Sequence, residues 1–263
     1  MSKVVKVNFI DYKTSITRAL DLVGVGIRLP KKGQIIIKPN LTNSSPPPVT
    51  TSFEAAEAVY HYCKAHTKAE IAIGEGCGSG ITSNVYATLG YTDMAEKYGL
   101  ELIDFNQAET TTLKKDNALQ LKHFHLPRIV QKAFIISLPV LKDHSFTKTT
   151  IAMKNMFGIA PSKFYAGSWN KAKLHSPSTD KSVVDICLYK KPDLSVVDAS
   201  VALKGMHLAG TPKKIGLILV GFDPVAVDTV GSKLLGHNPK KLPYLTLANG
   251  LLGSMDDIEI AEG

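Results

Sequence analysis

Ile35-Ile36-Ile37-Lys38-Pro39-Asn40 sets three β-branched residues in a row directly against a lysine, a proline and an asparagine. An unbroken β-branched run is what a strand buried on both faces looks like, and the proline ends it. The same construction recurs along the chain. Ile71-Ala72-Ile73 runs into Gly74-Glu75-Gly76-Cys77-Gly78-Ser79-Gly80, and Ala133 to Val140 runs into Leu141-Lys142-Asp143-His144. Leu194 to Val197 meets Asp198, and Gly216 to Val220 meets Gly221-Phe222-Asp223, while Leu100 to Phe105 alternates as a half-buried strand does. Helical patterns lie between these runs. Thr14 to Val25 carries Ile16, Leu20 and Val23 on one face. Thr51-Ser52-Phe53-Glu54 reads as a capping box, with Thr51 as the cap of a helix reaching about His66, and Asp223-Pro224 caps a helix that Gly236 stops. Strands alternating with helices predict an α/β fold, an open, mostly parallel, Rossmann-like sheet with helices on both faces. One domain over 1–263 is the simplest organisation. The Pro/Asn/Ser stretch Lys38 to Pro48 reads as a loop, and the polar stretch around 160–180 as a candidate lid or insertion.

The chain has 263 residues, 44% of them hydrophobic and 21% charged, values of an ordinary globular protein that exclude collagen-like, disordered and coiled-coil readings. Thirty-one Lys and Arg against twenty-three Asp and Glu leave +8, a balance that favours anionic partners. Only Arg18, Arg28 and Arg128 are arginines. Base-edge readout of DNA relies on guanidinium forks, so the scattered lysines read as solvated surface and nucleic acid is not the expected partner. The segment from Met1 to Val5 opens no signal peptide, and no apolar run is long enough for a membrane span, so the expected location is cytoplasmic. Cys63, Cys77 and Cys187 form no close pair, which excludes a disulfide framework, a CxxC zinc site and an iron–sulfur cluster motif within this chain. Cys63 lies on the apolar face of its helix as core filler. Cys77, among glycines, looks the most exposed and the one candidate for a reactive thiol.

Ligands of open α/β sheets bind outside the carboxyl ends of the strands, which is where the polar residues cluster in this sequence. Glu75, Gly76 and Gly78 belong to a loop that either cradles an anion with backbone N–H groups or simply turns. It matches neither GxGxxG nor a P-loop. Lys142-Asp143-His144 offers a cation for a carboxylate or phosphate and a histidine for acid–base work. Lys154-Asn155 follows about three turns later if Thr147 to Phe157 is helical; between Met153 and Met156 it is an odd pair for a core face and so reads as facing the ligand. Asp198 offers a further carboxylate. Asp228, inside an apolar helix, needs a partner, for which a strand-end lysine is the natural choice, as a structural ion pair or as part of catalysis. His175 lies in the polar segment with Trp169.

Six ordered motifs then carry a resemblance. Lys38-Pro39-Asn40-Leu41, Pro48-Val49-Thr50-Thr51, Leu138 to His144, Ala152-Met153-Lys154-Asn155-Met156-Phe157-Gly158, Leu174-His175 and Asp223-Pro224-Val225-Ala226-Val227-Asp228 resemble the domain of unknown function 362 family over about Ile35 to Leu252. Many members of that family carry an appended ferredoxin-like module with two four-iron clusters. The resemblance therefore implies redox chemistry, with electrons supplied to this chain by a separate ferredoxin-type partner. The family's Lys-Thr-His is Lys142-Asp143-His144 here, its Asp-Gly is Asp198-Ala199, and its Gly-Pro-rich loop is replaced by Gly205 to Gly210.

Together these readings give an expected enzyme acting on a small anionic metabolite. Lys38, Lys142 and Lys154 hold the anion, Asn40 and Asn155 orient it, and His144 is the acid–base group, with Asp143 and Asp228 as further catalytic candidates. Glu75, Gly76, Gly78, His175 and Asp198 complete the binding set. The sequence names no cofactor and no metal. The alternative is a non-catalytic carrier of a metal, cluster or cofactor, with Cys77, His144, His175 and Asp198 as ligands.

Overall fold

The computed structural model describes residues 1–263. Its strands are β1 (Ser2–Asn8), β2 (Gln34–Pro39), β3 (Glu70–Glu75), β4 (Glu101–Asp104), β5 (Thr110–Lys114), β6 (His123–Pro127), β7 (Phe134–Leu138), β8 (Val140–His144), β9 (Lys148–Thr150), β10 (Leu194–Lys204), β11 (Thr211–Gly221) and β12 (Ile258–Glu262). The helices are α1 (Tyr12–Val23), α2 (Phe53–His66), α3 (Thr82–Thr88), α4 (Tyr91–Tyr98), α5 (Arg128–Lys132), α6 (Ala152–Asn155), α7 (Ser162–Tyr165), α8 (Thr179–Tyr189), α9 (Pro224–Leu234) and α10 (Pro243–Ala248).

The large sheet runs β12-β1-β11-β10-β7-β2-β3-β4, with β8 beside β10 and β9 beside β8, while β5 and β6 form a separate hairpin. Its pairings are parallel except those of β11 with β1 and β10 and of β9 with β8. The mostly parallel α/β sheet expected from the sequence is therefore present. The opening motif shows why. Ile35 and Ile37 enter one apolar cluster with α1 and α2, while Ile36 enters a second with Met153 and Val183. A period of two with both faces covered requires hydrophobic residues at every position, and each fully buried isoleucine contributes roughly 2 kcal/mol.

From β2 the chain moves outward to β3 and β4, then returns to β7 on the other side of β2. The β2/β7 boundary is thus the topological switch point, where parallel sheets leave a crevice at their carboxyl ends.

Several local expectations are corrected. Ser52, not Thr51, caps α2 by accepting from Glu54 N. The Thr51 hydroxyl instead accepts from Asn40 N at 2.9 Å and donates to Leu138 O at 2.8 Å, tying the ends of β2 and β7. Thr147 to Phe157 is not one helix: β9 pairs with β8 first, and only the single turn α6 and a 3₁₀ turn at Met156–Ile159 follow. Asp198 does not end a strand, because β10 continues to Lys204 in a long hairpin with β11. Since β11 runs antiparallel to β10, Gly221 pairs with Ser195 near the start of β10, so Asp223 lies at the opposite edge from Lys38 and Glu75. There Asp223 caps α9 as expected, accepting from Val225 N and Ala226 N.

Candidate functional site

Lys38 shares the Ile36 face of β2 and has no solvent exposure. Its Nζ donates to Glu75 Oε2 at 2.9 Å, Pro39 O at 3.0 Å and Asn155 Oδ1 at 3.2 Å. Glu75, at the end of β3, also accepts from Leu41 N at 3.0 Å and Gly76 N at 2.8 Å. Of the glycine loop's backbone N–H groups, that of Gly76 is committed to the protein's own carboxylate, Glu75. Such a pair tolerates desolvation only when its remaining hydrogen-bonding groups are met, as they are here. Asn155 joins the strand ends by donating to Lys38 O and Ser137 Oγ, and Asn40 Nδ2 donates to Asn155 Oδ1 at 3.1 Å. Gly158 is required beside them, because a Cβ there would sit 1.8 Å from Glu75 Oε1.

Above this pair a cavity of about 410 Å³ opens at the switch point, within the size range of small-molecule sites. Asn40, Glu75, Gly76, Gly78, Lys142, His144, Lys154, Asn155 and His175 all reach its wall, so nine of the residues expected from the sequence converge there. Lys38 lies directly beneath. The wall also carries Lys171 and His207, two groups the sequence reading missed. Lys171 comes from the polar stretch expected to be a lid, and His207 from the turn between β10 and β11; a lone lysine or histidine in a polar loop has no pattern to single it out.

Three lysines thus face one cavity whose single acidic side chain is already paired with Lys38. Lys142 Nζ donates only to Val49 O, at 2.7 Å. Lys154 Nζ lies 3.4 Å from the centre of the Phe157 ring and has no hydrogen-bond acceptor. Lys171 donates to Asn106 Oδ1 and to Ala160 O. Burial brings the Lys142 ammonium down to about 7. Burial, then repulsion from Lys142 and Lys38, brings Lys154 to about 7, and burial lowers Lys171 to about 8.

The histidines form a second wall. The His144 and His207 rings stack at 4.2 Å, and His175 lies 6.3 Å from His144. Burial and the neighbouring lysines hold His144 far below its ordinary range, and bring His175 and His207 to about 4. All three are therefore neutral near pH 7. His144 Nδ1 accepts from Phe146 N at 3.1 Å, so its proton sits on Nε2. His175 Nδ1 donates to Lys171 O at 3.0 Å, which leaves Nε2 with a free lone pair.

Three acidic candidates point elsewhere. Asp143 accepts from Gly205 N at 2.7 Å and pairs with Lys204 and His237 at 3.0 and 2.7 Å, because alternation along β8 turns it away from Lys142 and His144. Asp198 accepts from Tyr12 Oη and from Ser200 N and Oγ. Asp228 has no lysine partner; it accepts from Ala152 N, Met153 N and Tyr244 Oη. It holds the start of α6, the turn that delivers Lys154 and Asn155, and its burial raises the carboxyl to about 8. Cys77 is fully buried, not exposed, with burial raising its thiol. No three His, Cys, Asp or Glu side chains are grouped to hold a metal ion.

The family Domain of unknown function (DUF362) matches residues 35–233, and the chain belongs to that family. A similar curated protein is the thylakoid-associated protein sll1697 of Synechocystis sp. strain PCC 6803, 25% identical over 230 residues, which cover 85% of this chain and 70% of the relative. No helix here is long and apolar enough to cross a membrane.

Proposed function

We propose that the cavity at the switch point binds a small anionic metabolite, a carboxylate or a phosphate, and acts on it by proton transfer. One observation carries this reading: Lys142, Lys154 and Lys171 line a buried wall whose only carboxylate, Glu75, is already neutralised by Lys38. Three amines without counter-charges are costly to bury unless a ligand supplies the negative charge. Lys38 acts from below, as the partner that fixes Glu75 and Asn155; Asn155, its amide fully committed, holds Asn40 in place, and Asn40, whose Oδ1 has no partner, orients the ligand. His144 presents an N–H at Nε2, suited to polarising a carbonyl or phosphoryl oxygen, while the lone pair of His175 Nε2 serves as the base. Asp228 is a positioning residue for Lys154.

Redox chemistry rests on the family resemblance. The three cysteines are single and buried, so electrons would come from a separate iron–sulfur partner. We place the protein in the cytoplasm; the thylakoid association of the relative makes attachment to a membrane surface the alternative, and cell fractionation separates the two.

The test is calorimetric titration with succinate and with inorganic phosphate, on the wild type and on Lys142→Met and Lys154→Met. The expected result is binding of at least one anion, weakened at least about tenfold by either substitution, since a single buried charge contact contributes more than about 1.4 kcal/mol. Binding that neither substitution weakens, or no binding of either anion, would overturn the reading.

A further inference from the structure

The mouth of the cavity is as unusual as its floor. Phe146 is 53% exposed, Trp169 43% and Leu208 43%, and all three line the cavity opening. Two residues before Leu208, Met206 is 56% exposed. These side chains come from three separate segments: the β8–β9 turn, the stretch after α7, and the β10–β11 turn. Single exposed apolar residues are common, but three unrelated loops bringing them to one opening form a patch that favours burial by a ligand. Below the rim the wall remains aromatic. His175 is ringed by Phe146, Phe157 and Trp169, with ring centres at 5.0, 5.4 and 5.7 Å, and His144 stacks on His207. At about 410 Å³ the space exceeds what a bare phosphate or acetate fills.

We infer that the ligand of this site is an aryl anion: a planar ring carrying a carboxylate or phosphate, with its charged group on the lysine floor and its ring in the Phe146–Trp169–Leu208 neck. The inference rests on the anion-binding reading and adds the body that the anion belongs to. Rings are favoured over alkyl chains because the neck is built mainly from aromatic and imidazole faces, which reward offset stacking, with Leu208 and Leu41 as the aliphatic residues of the cavity wall.

Trp169 is the only tryptophan in the chain, so its fluorescence reports ligand entry directly. The experiment compares acetate with benzoate and inorganic phosphate with phenyl phosphate, with hexyl phosphate as the alkyl control. Within each pair the charged group is constant. The expected result is that the aryl member binds at least about tenfold tighter than the bare anion, as burying some tens of Å² of apolar rim requires, and tighter than hexyl phosphate. Phe146→Ala, at an exposed position, should shrink the aryl-to-bare ratio, whereas Lys154→Met should weaken both members of a pair together. Equal affinities within both pairs, an unchanged ratio in Phe146→Ala, or hexyl phosphate binding as tightly as phenyl phosphate would refute the aryl assignment and leave anion binding standing. If neither the bare nor the aryl anions bind, it is the anion-binding reading that fails.

Discussion

Anion binding at this site should take up protons and weaken as pH rises. Lys142 and Lys154 sit at about 7 in the free protein. A ligand anion about 4 Å from an ammonium contributes about 4 kcal/mol at an effective dielectric constant of about 20, which lifts its pKa by roughly three units, to about 10. Between those two values the free lysine is an amine and the bound one an ammonium, so each complex must draw a proton from solution. At about pH 8 that uptake costs about 1.4 kcal/mol for one lysine, a factor of ten in affinity, and the factor repeats for each further pH unit. From about pH 6 to about pH 9 the affinity for succinate, whose own charge is nearly constant above about pH 6, should fall roughly a hundredfold when one lysine is linked and further when both are. Calorimetry in two buffers of different ionisation enthalpy counts the protons directly, and the count should approach one or more near pH 8. Lys154→Arg, which stays charged throughout, should flatten the profile. A wild-type affinity that is level across this range, with no proton uptake, would refute the assignment of Lys142 and Lys154 as the anion's partners.

Four further outcomes are expected. Lys38→Met and Glu75→Gln should each cost about 3–5 kcal/mol in urea unfolding, since either leaves a buried charge unpaired, and the double variant should cost clearly less than their sum; additive costs would show that the pair is not coupled. Gly158→Ala should lower both stability and succinate affinity, because its Cβ displaces Glu75 Oε1; wild-type behaviour in both would contradict the packing. Without ligand, the thermal midpoint should fall as pH drops from about 6.5 toward 4, because the unfolded chain charges histidines that His175 and His207 keep neutral in the fold. The same midpoint should rise from about pH 7 toward 10, where the unfolded chain still holds protons that Lys142 and Lys154 have lost. Finally, Cys63, Cys77 and Cys187 are buried, so a thiol reagent should label none of them in the native state and all three in denaturant; rapid native labelling at Cys77 would show that its loop opens.

Much of this arrangement is legible in the chain. The runs at Ile35, Ile71 and Ala133 define parallel strands because hydrophobic residues at every position are needed only when both faces are covered. The residues that follow them reach the crevice because carboxyl ends of parallel strands share one edge. Lys38, Glu75, Lys142 and His144 were accessible from sequence for that reason, and Lys154 and Asn155 because a polar pair between Met153 and Met156 is odd for a core face. Side-chain direction was less so. Asp143 and Lys142 are adjacent, and only the pairing of β8 with β9 and β10 decides which of the two faces the cavity.

What sequence by itself determined is the mostly parallel sheet and the edge reached by the residues that follow its parallel strands, since both follow from local runs of residues and the positions where they stop. Tertiary structure alone decided which charges meet. The antiparallel course of β11 carries Asp223 to the far edge, the extension of β10 takes Asp198 out of the crevice, and chain folding brings Lys171, His207 and Trp169 in from loops with no periodicity. Burial then sets the chemistry, because a lysine becomes an amine near neutral pH only once the acids that would neutralise it have been placed elsewhere.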